Sequence, residues 1–312
     1  MFTDILFAIA SLGGLGLILG FMLAFAGVFF AVKINSRVSE ILDVLPGANC
    51  GGCGYTSCSA YAKAIEENKE STNLCSVGGQ DANITISEIM GVSPVFKNRQ
   101  RAQVMCSGTS ALADKKYQYR GLSDCISASY LGGGDKECVY GCLGLGTCVN
   151  ACKFGAIKVE NGIAVVEYEK CTACGMCVQS CPKNIIKLIP YEATEWVGCI
   201  SQNKGQVVRE ECQVGCIACG ICAQSCPREA IEISEYVSHI DYEKCDGCGI
   251  CVEKCPRKII WNSDFQMKKG DTLTPKDIIN AAADVILDSK ENSAKQDDSR
   301  FKISIDDHKK HK

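Results

Sequence analysis

The residues of this sequence that are best suited to chemistry are cysteines arranged in two short runs. The runs are Cys216-x2-Cys219-x2-Cys222-x3-Cys226 and Cys245-x2-Cys248-x2-Cys251-x3-Cys255, and a proline follows each of them. Three cysteines within seven residues are typical of [4Fe–4S] ligation. Zinc is the alternative, but structural zinc sites usually draw on two separated pairs of ligands. The spacing therefore predicts two iron–sulfur clusters.

The fourth cysteine of each run is expected to serve the other run. In proteins that hold two such clusters, the first three cysteines of a run ligate one cluster and the fourth ligates its neighbour. One predicted cluster is therefore held by Cys216, Cys219, Cys222 and Cys255. The other is held by Cys245, Cys248, Cys251 and Cys226. This pairing requires the two runs to fold back on each other in one compact module.

A second pair of runs lies upstream and predicts a module of the same kind. Its runs are Cys138-x3-Cys142-x5-Cys148-x3-Cys152 and Cys171-x2-Cys174-x2-Cys177-x3-Cys181. The segments that separate the two runs, 153–170 here and 227–244 downstream, are equal in length. Crossed pairing predicts one cluster on Cys138, Cys142, Cys148 and Cys181, and another on Cys171, Cys174, Cys177 and Cys152. We interpret the first of these runs as a stretched variant, because its spacing is wider and no proline follows it.

A separate cysteine motif precedes both modules. It is Cys50-x2-Cys53-x4-Cys58-x16-Cys75, with glycines at positions 51, 52 and 54. Glycines allow the backbone to wrap closely around a cluster and to direct N–H groups at its sulfur atoms. The motif predicts one [4Fe–4S] cluster on these four cysteines, with zinc as the alternative. Helices are predicted on both sides of the first three cysteines, over 36–45 and from Tyr61 onward.

Four cysteines remain outside these motifs, namely Cys106, Cys125, Cys199 and Cys212. Their order indicates a repeat, in which a strand ending in cysteine and then a second cysteine precede each module. Cys106 and Cys125 would belong to the first copy, and Cys199 and Cys212 to the second. Together they predict a sixth cluster between the copies. The alternative is that they are buried apolar thiols, which is a common role of free cysteine.

The elements that must position these cysteines begin with a predicted membrane helix. Residues 5–32 carry no charge, and about 20 apolar residues suffice to cross a bilayer. A signal peptide is the competing interpretation, but the segment is too long and lacks a basic start. Lys33 and Arg37 follow the segment, so the positive-inside rule puts the N-terminus outside and the cysteine-rich body in the cytoplasm. We therefore expect a single-pass protein of the cytoplasmic (inner) membrane.

The expected fold class is α+β, with a single N-terminal transmembrane helix, a small 4Fe–4S domain and two ferredoxin-like 2[4Fe–4S] modules. A β-hairpin is predicted around Asn161-Gly162, where it would bring two cysteine runs together. The expected boundaries are 1–33 for the anchor, 34–92 for the 4Fe–4S domain, 93–198 and 199–263 for the modules, and 264–312 for a helix (276–287) with a mobile polar tail. Five [4Fe–4S] clusters are expected, and the four remaining cysteines would make six.

The composition narrows the classes of function. The chain has 312 residues, 24 cysteines and a net charge of −3. So many closely spaced cysteines indicate metal ligation in a reducing compartment, and the net charge implies no nucleic-acid partner. The chain has only three histidines and no G-x-G-x-x-G motif, so neither histidine-centred catalysis nor dinucleotide binding is predicted. No catalytic residue is assigned.

The order of these features resembles a known family. A membrane helix is followed by Leu45-Pro-Gly-Ala-Asn-Cys50-Gly-Gly-Cys53-Gly-Tyr-Thr-Ser-Cys58 and then by ferredoxin-type runs. This order is similar to that of the B subunit of the Rnf (Rsx) electron transport complex. The resemblance implies a cytoplasmic-membrane complex that moves electrons between reduced ferredoxin and NAD, coupled to sodium or proton movement. It also implies that this subunit accepts the electrons of ferredoxin and has other membrane and cytoplasmic subunits as partners. The extra cysteine runs set the chain apart from short members of the family.

The leading hypothesis is therefore an electron-transfer subunit of an ion-translocating ferredoxin:NAD oxidoreductase, a translocase. Basic residues of the second module would dock an acidic ferredoxin, or else form a solvated rim: Arg228, Lys244, Lys254, Arg257 and Lys258. One alternative is a stand-alone membrane-anchored iron–sulfur reductase, which would need an incompletely ligated iron. Another is a scaffold whose clusters serve only the fold.

Overall fold

The computed structural model of the protein describes residues 2–29 and 35–262. Its first element is helix α1, Phe2–Phe29. Within α1, Ile5–Gly27 is long and apolar enough to cross a membrane, and none of this stretch is buried against the rest of the described chain. Lys33, the predicted helix at 276–287 and the polar tail lie outside the described residues.

The small domain after the anchor consists of three helices, α2 Ser36–Val44, α3 Cys58–Asn68 and α4 Gly79–Met90. Their apolar faces share a core that includes Ile41, Tyr61 and Ile86. Ser57 caps α3, because its Oγ accepts a hydrogen bond from Ala60 N at 3.1 Å. The cysteine loop before α3 is thereby held between two packed helices.

The first module contains β1 Gln100–Val104, α5 Cys125–Ser129, α6 Thr147–Ala151, β2 Ile157–Glu160, β3 Ile163–Val166, α7 Met176–Ser180 and β4 Ile186–Pro190. A 3-10 turn, Tyr168–Lys170, lies between β3 and α7. The second module contains β5 Glu195–Val197, α8 Gly205–Glu211, α9 Ile221–Gln224, β6 Ile231–Ser234, β7 Val237–Ile240, α10 Ile250–Lys254 and β8 Ile260–Asn262. The order of elements is the same in both, so the predicted α+β class with two ferredoxin-type modules is confirmed.

Each module is built from two antiparallel strand pairs. The inner pairs are the hairpins β2–β3 and β6–β7, and the first of them turns at Asn161-Gly162 as predicted. The outer pairs are β1–β4 and β5–β8. Strand β5 precedes the expected boundary at 198, yet it pairs with β8 of the second module. Its hydrogen bonds therefore assign it to that module.

The two modules meet through a mixed polar and apolar junction. Trp261 Nε1 donates to Ser107 Oγ at 2.8 Å, and Ser107 N donates to Gly198 O at 2.9 Å. The buried Arg101 donates to Ala193 O at 2.8 Å, and its guanidinium lies 3.8 Å from the centre of the Tyr168 ring. These contacts join β1 and the segment after it to both ends of the second module.

Candidate iron–sulfur centres

The cysteines of the N-terminal motif surround one cavity. All four predicted ligands line it, namely Cys50, Cys53, Cys58 and Cys75. Asn49 Oδ1 accepts a hydrogen bond from Cys58 N at 2.8 Å, which ties the start of the loop to the first turn of α3. Gly78 N donates to Cys75 Sγ at 3.3 Å. The structure therefore brings this predicted set together.

The second module forms two such cavities. One is lined by Cys216, Cys219, Cys222 and Cys255, and the other by Cys226, Cys245, Cys248 and Cys251. These are the two sets that crossed pairing predicts. In each run a glycine with positive φ, Gly220 or Gly249, lies directly before the helix that carries the third cysteine. Glycine adopts this left-handed conformation without strain, so the chain can turn sharply around a bulky group.

One predicted set of the first module is also assembled. Burial raises the pKa of Cys177 to about 12, and the neighbouring thiols of Cys171, Cys174 and Cys152 add to the shift. Main-chain amides support two of these sulfurs, since Ala102 N donates to Cys171 Sγ at 3.4 Å and Ala156 N donates to Cys152 Sγ at 3.3 Å. The four thiols thus share one neighbourhood, as crossed pairing requires.

The remaining predicted sets are arranged differently. Cys125, at the start of α5, lies beside Cys148, because its amide donates to the hydroxyl of Thr147 at 2.7 Å. Cys138 instead lines a cavity with Cys106, Cys199 and Cys212. The prediction grouped Cys138 with Cys142, Cys148 and Cys181, and Cys125 with the other three. The predicted grouping fails because α5 packs against the start of α6, which brings Cys125 to Cys148. Cys138 comes before Cys142 and α6 in the chain, and it lines the cavity of Cys106 instead.

The donor set, four cysteines at each of these cavities, fits [4Fe–4S] clusters. Among the described residues, no three His, Cys, Asp or Glu side chains lie close enough to hold one metal ion. The thiols line cavities, and backbone N–H groups point at several of their sulfurs. Such hydrogen bonds favour thiolate and tune a cluster's potential.

Burial of the cysteine thiols affects the insertion of clusters into these sites, because it changes the protonation of the ligands. It raises the pKa of Cys142, Cys199 and Cys251 to about 12. The free thiols are therefore protonated at neutral pH. Because ligands bind iron as thiolates, cluster insertion releases protons from the protein.

The second cysteine of a run differs in exposure from site to site. Cys219 and Cys248 are exposed, whereas Cys174 is half-buried. Cys174 is covered by the N-terminal domain, since a Cβ built on Gly52 would lie 2.5 Å from its carbonyl oxygen. Lys153 Nζ also donates to Asn49 O across this contact, at 2.7 Å. The N-terminal cavity is thus a direct neighbour of the Cys174 site.

Two buried charged residues that sequence reasoning missed lie at these cavities. Glu195, 2 % exposed, lines the cavity of Cys245 and Cys251 and accepts a hydrogen bond from Thr194 Oγ1 at 2.6 Å. Lys136, also 2 % exposed, lines the cavity of Cys106 and donates to Gly108 O at 2.7 Å. Neither residue stands in a cysteine run, so the spacing carried no signal for them.

Comparison with known proteins agrees with this geometry. Residues 45–77 match the FeS family, an Fe-S cluster domain, residues 164–187 match a 4Fe-4S binding domain, and residues 215–259 match a 4Fe-4S dicluster domain. The B subunit of the Na(+)-translocating ferredoxin:NAD(+) oxidoreductase complex of Acetobacterium woodii is 42% identical over 246 residues, which cover 78% of this chain and 74% of that protein. This chain belongs to the Rnf B-subunit family.

Two further relatives are similar to this chain over most of its length. The B subunit of the ion-translocating oxidoreductase complex of Methanosarcina acetivorans is 40% identical over 239 residues, or 76% of this chain and 90% of that protein. The B subunit of the proton-translocating ferredoxin:NAD(+) oxidoreductase complex of Clostridium ljungdahlii is 38% identical over 203 residues, or 64% of this chain and 72% of that protein. The family resemblance that the Leu45–Cys58 segment predicts is thereby confirmed.

Proposed function

We propose that this chain is the electron-relay subunit of a membrane-bound complex that couples ferredoxin:NAD electron transfer to ion translocation. It accepts electrons from reduced ferredoxin and relays them toward the membrane. The observation that carries the proposal is the contact of Gly52 with Cys174, because it joins the cysteine sets of the modules to the set beside the anchor. The relatives from Acetobacterium woodii and Clostridium ljungdahlii, which are subunits of ferredoxin:NAD(+) oxidoreductase complexes, support the same assignment.

The chain's own residues hold and insulate the redox groups. A [4Fe–4S] cluster supplies one-electron chemistry when it is bound. Four sets of cysteines would hold such clusters as predicted: Cys50, Cys53, Cys58 and Cys75; Cys152, Cys171, Cys174 and Cys177; Cys216, Cys219, Cys222 and Cys255; and Cys226, Cys245, Cys248 and Cys251. Full or partial burial of most of these ligands keeps water away, and the amide donors stabilise the thiolates.

The exposed cysteines mark where a soluble donor would approach. Cys219 and Cys248 are the exposed ligands of the second module. Of the basic residues near them, Arg228 pairs with Asp246 at 2.7 Å and Lys244 with Asp241 at 3.5 Å.

Arg257 donates to Cys212 O at 2.7 Å and is half-buried. Lys254 and Lys258 are exposed and better placed to attract an acidic ferredoxin. Charge reversal should therefore begin with these two lysines.

In this proposal the body lies in the cytoplasm, and α1 crosses the cytoplasmic membrane once with the N-terminus outside. The length and apolar character of Ile5–Gly27 support the crossing. Arg37, just after the helix, supports the orientation through the positive-inside rule. The other subunits of the complex would meet the chain at the membrane.

The test is reduction of the anaerobically purified protein by reduced ferredoxin, followed by rapid-mixing absorbance. Reduction should be fast at low salt and slower at high salt, since exposed charges are screened. Lys254→Glu with Lys258→Glu should slow it further, whereas Lys63→Glu on α3 serves as a distant charge-reversal control. Clusters that ferredoxin leaves oxidised would reject the relay role. Rates that ignore both salt and charge would reject only the docking surface.

A further inference from the structure

The two modules are related by a constant offset in residue number, and this offset identifies one missing ligand. Cys216 follows Cys142 by a fixed number of residues, and the same number separates Cys148 from Cys222 and Cys152 from Cys226. We call this number the offset between the modules. The residue of the first module that this offset matches to Cys219 is Leu145. The first run is therefore not a stretched variant. It has normal spacing and lacks its second cysteine.

The local contacts obey the same offset. Ala164 N donates to Cys142 Sγ at 3.4 Å, and the residue that the offset matches to Ala164, Ser238, has its Oγ 3.8 Å from Cys216 Sγ. Cys142 and Cys216 thus occupy equivalent places beside equivalent hairpins. This equivalence supports the match of Leu145 with Cys219 that the offset gives.

Cys125 lies where it can replace the missing ligand. Its amide donates to Thr147 Oγ1 at 2.7 Å, and Thr147 Oγ1 donates to Asp124 Oδ1 at 2.8 Å. Thr147 is the neighbour of Cys148 and lies close after Leu145 in the chain. The thiols of Cys125 and Cys181 both lie near that of Cys148. The start of α5 is thereby fixed against the start of α6.

Cys138 has a different counterpart. The offset carries it to Cys212, and both cysteines begin a Cys-x3-Cys pair whose third intervening residue is glycine. Cys106 corresponds to Cys199, because each closely follows a valine at the end of a strand, β1 or β5. These two strands pair with the last strands of their modules, β4 and β8. The segment between Cys106 and Cys138 is more than twice as long as that between Cys199 and Cys212, and it contains Cys125. Cys125 therefore has no partner in the repeat.

The four matched cysteines line one cavity between the modules. A Cβ built on Gly108 would lie 3.4 Å from Cys212 Sγ and 3.8 Å from Cys106 Sγ, so both sulfurs approach one point. Cys142 N donates to Cys106 Sγ and Ser201 N donates to Cys199 Sγ, each at 3.4 Å. The cavity thus has the four thiols and the amide donors seen at the other sites.

We propose that Cys125 completes a [4Fe–4S] site with Cys142, Cys148 and Cys181, and that Cys138 joins Cys106, Cys199 and Cys212 in a sixth site. Each module contributes two ligands to the sixth site, so it links the two modules. The proposal rests on the proposed function only in that the cysteine sets hold [4Fe–4S] clusters.

Paired substitutions in the full-length, anaerobically purified protein test the two groupings by iron and acid-labile sulfide content. Wild type should contain about 24 irons. Cys106→Ala with Cys138→Ala removes two ligands of one cluster and should cost about four irons. Cys106→Ala with Cys125→Ala damages two clusters and should cost about eight. The reverse pattern, or no loss in either variant, would overturn the proposal.

A rescue experiment guards against simple misfolding. Leu145→Cys restores the second cysteine of the run, so it should return the lost cluster to Cys125→Ala, measured as iron, sulfide and the electron paramagnetic resonance of the reduced protein. The same change should not rescue Cys138→Ala. If Leu145→Cys rescued Cys138→Ala instead, or rescued neither variant, the proposed ligand roles of Cys125 and Cys138 would be rejected. Wild-type protein without iron and sulfide would reject the proposed function itself, whereas wild type with about 16 irons would reject only this inference.

Discussion

Gly52 lies so close to Cys174 that no side chain fits between them. A Cβ built on Gly52 would lie 2.5 Å from the carbonyl oxygen of Cys174 and 3.0 Å from its Cα. Main-chain atoms cannot withdraw as the end of a flexible side chain can. The absence of a side chain at position 52 therefore allows the anchored domain to lie directly on a ligand of the first module.

Gly52→Ala should separate the two domains without emptying either site. Overpacking of this kind costs about 1–3 kcal/mol, and the contact can open because the domains have separate cores. Amide hydrogen exchange should rise in 49–54 and 172–176, and ferredoxin should reduce fewer irons. Gly54→Ala strains the same loop, since its φ is +89°, but meets nothing within 4 Å. Equal exchange at 172–176 in both variants would contradict this account.

Glu195→Gln should raise the reduction potential of the site formed by Cys226, Cys245, Cys248 and Cys251. Reduction adds negative charge, so a nearby buried carboxylate opposes it. At an effective dielectric constant of about 20, the shift should be on the order of 50–100 mV. A redox titration followed by electron paramagnetic resonance measures it. Glu253→Gln, at an exposed position within the run Cys245–Cys255, should change the potential little because water screens its charge.

Lys136→Met should lower the potential of the proposed sixth site and reduce stability. The substitution removes a buried cation and leaves the carbonyls of Gly108 and Gly162 without this donor. Each buried acceptor left unpaired costs about 1–3 kcal/mol. Lys136→Arg keeps the charge and should leave the potential near that of wild type. A potential that moves equally in both variants would point to altered packing instead.

Removal of residues 2–29 should release the protein from the membrane without loss of iron. The stretch Ile5–Gly27 is not buried against the described body, so its deletion takes no contact away from the cysteine sites. Membrane fractionation and iron content of the truncated and full-length chains check this expectation. A truncated chain that loses iron would show that the anchor supports the fold.

Much of the fold and of the sites could be predicted because their determinants are local. Three cysteines within seven residues must lie close together in space, so the runs ending at Cys226 and Cys255 identify most of their ligands by spacing alone. The asparagine and glycine at 161–162 likewise predict a hairpin from backbone preferences alone. Apolar length alone predicted the helix that contains Ile5–Gly27.

Isolated cysteines could not be assigned in this way. Cys106, Cys125 and Cys138 lie far from one another in sequence, so their partners depend on which elements pack together. The Cys-x3-Cys pairs beginning at Cys138 and Cys212 did carry a usable signal, but Cys125 in the longer segment obscured the repeat.

The sequence by itself determined the chemistry of this protein: thiolate ligands in ferredoxin-type runs behind an apolar helix. The tertiary structure alone decided which single cysteines meet, that Gly52 lies on Cys174, and that Glu195 and Lys136 bring buried charge to two of the cavities. The physical reason is the distance along the chain over which each kind of interaction acts. Loop spacing acts over a few residues, whereas packing of strands and helices brings together groups that are far apart in the chain.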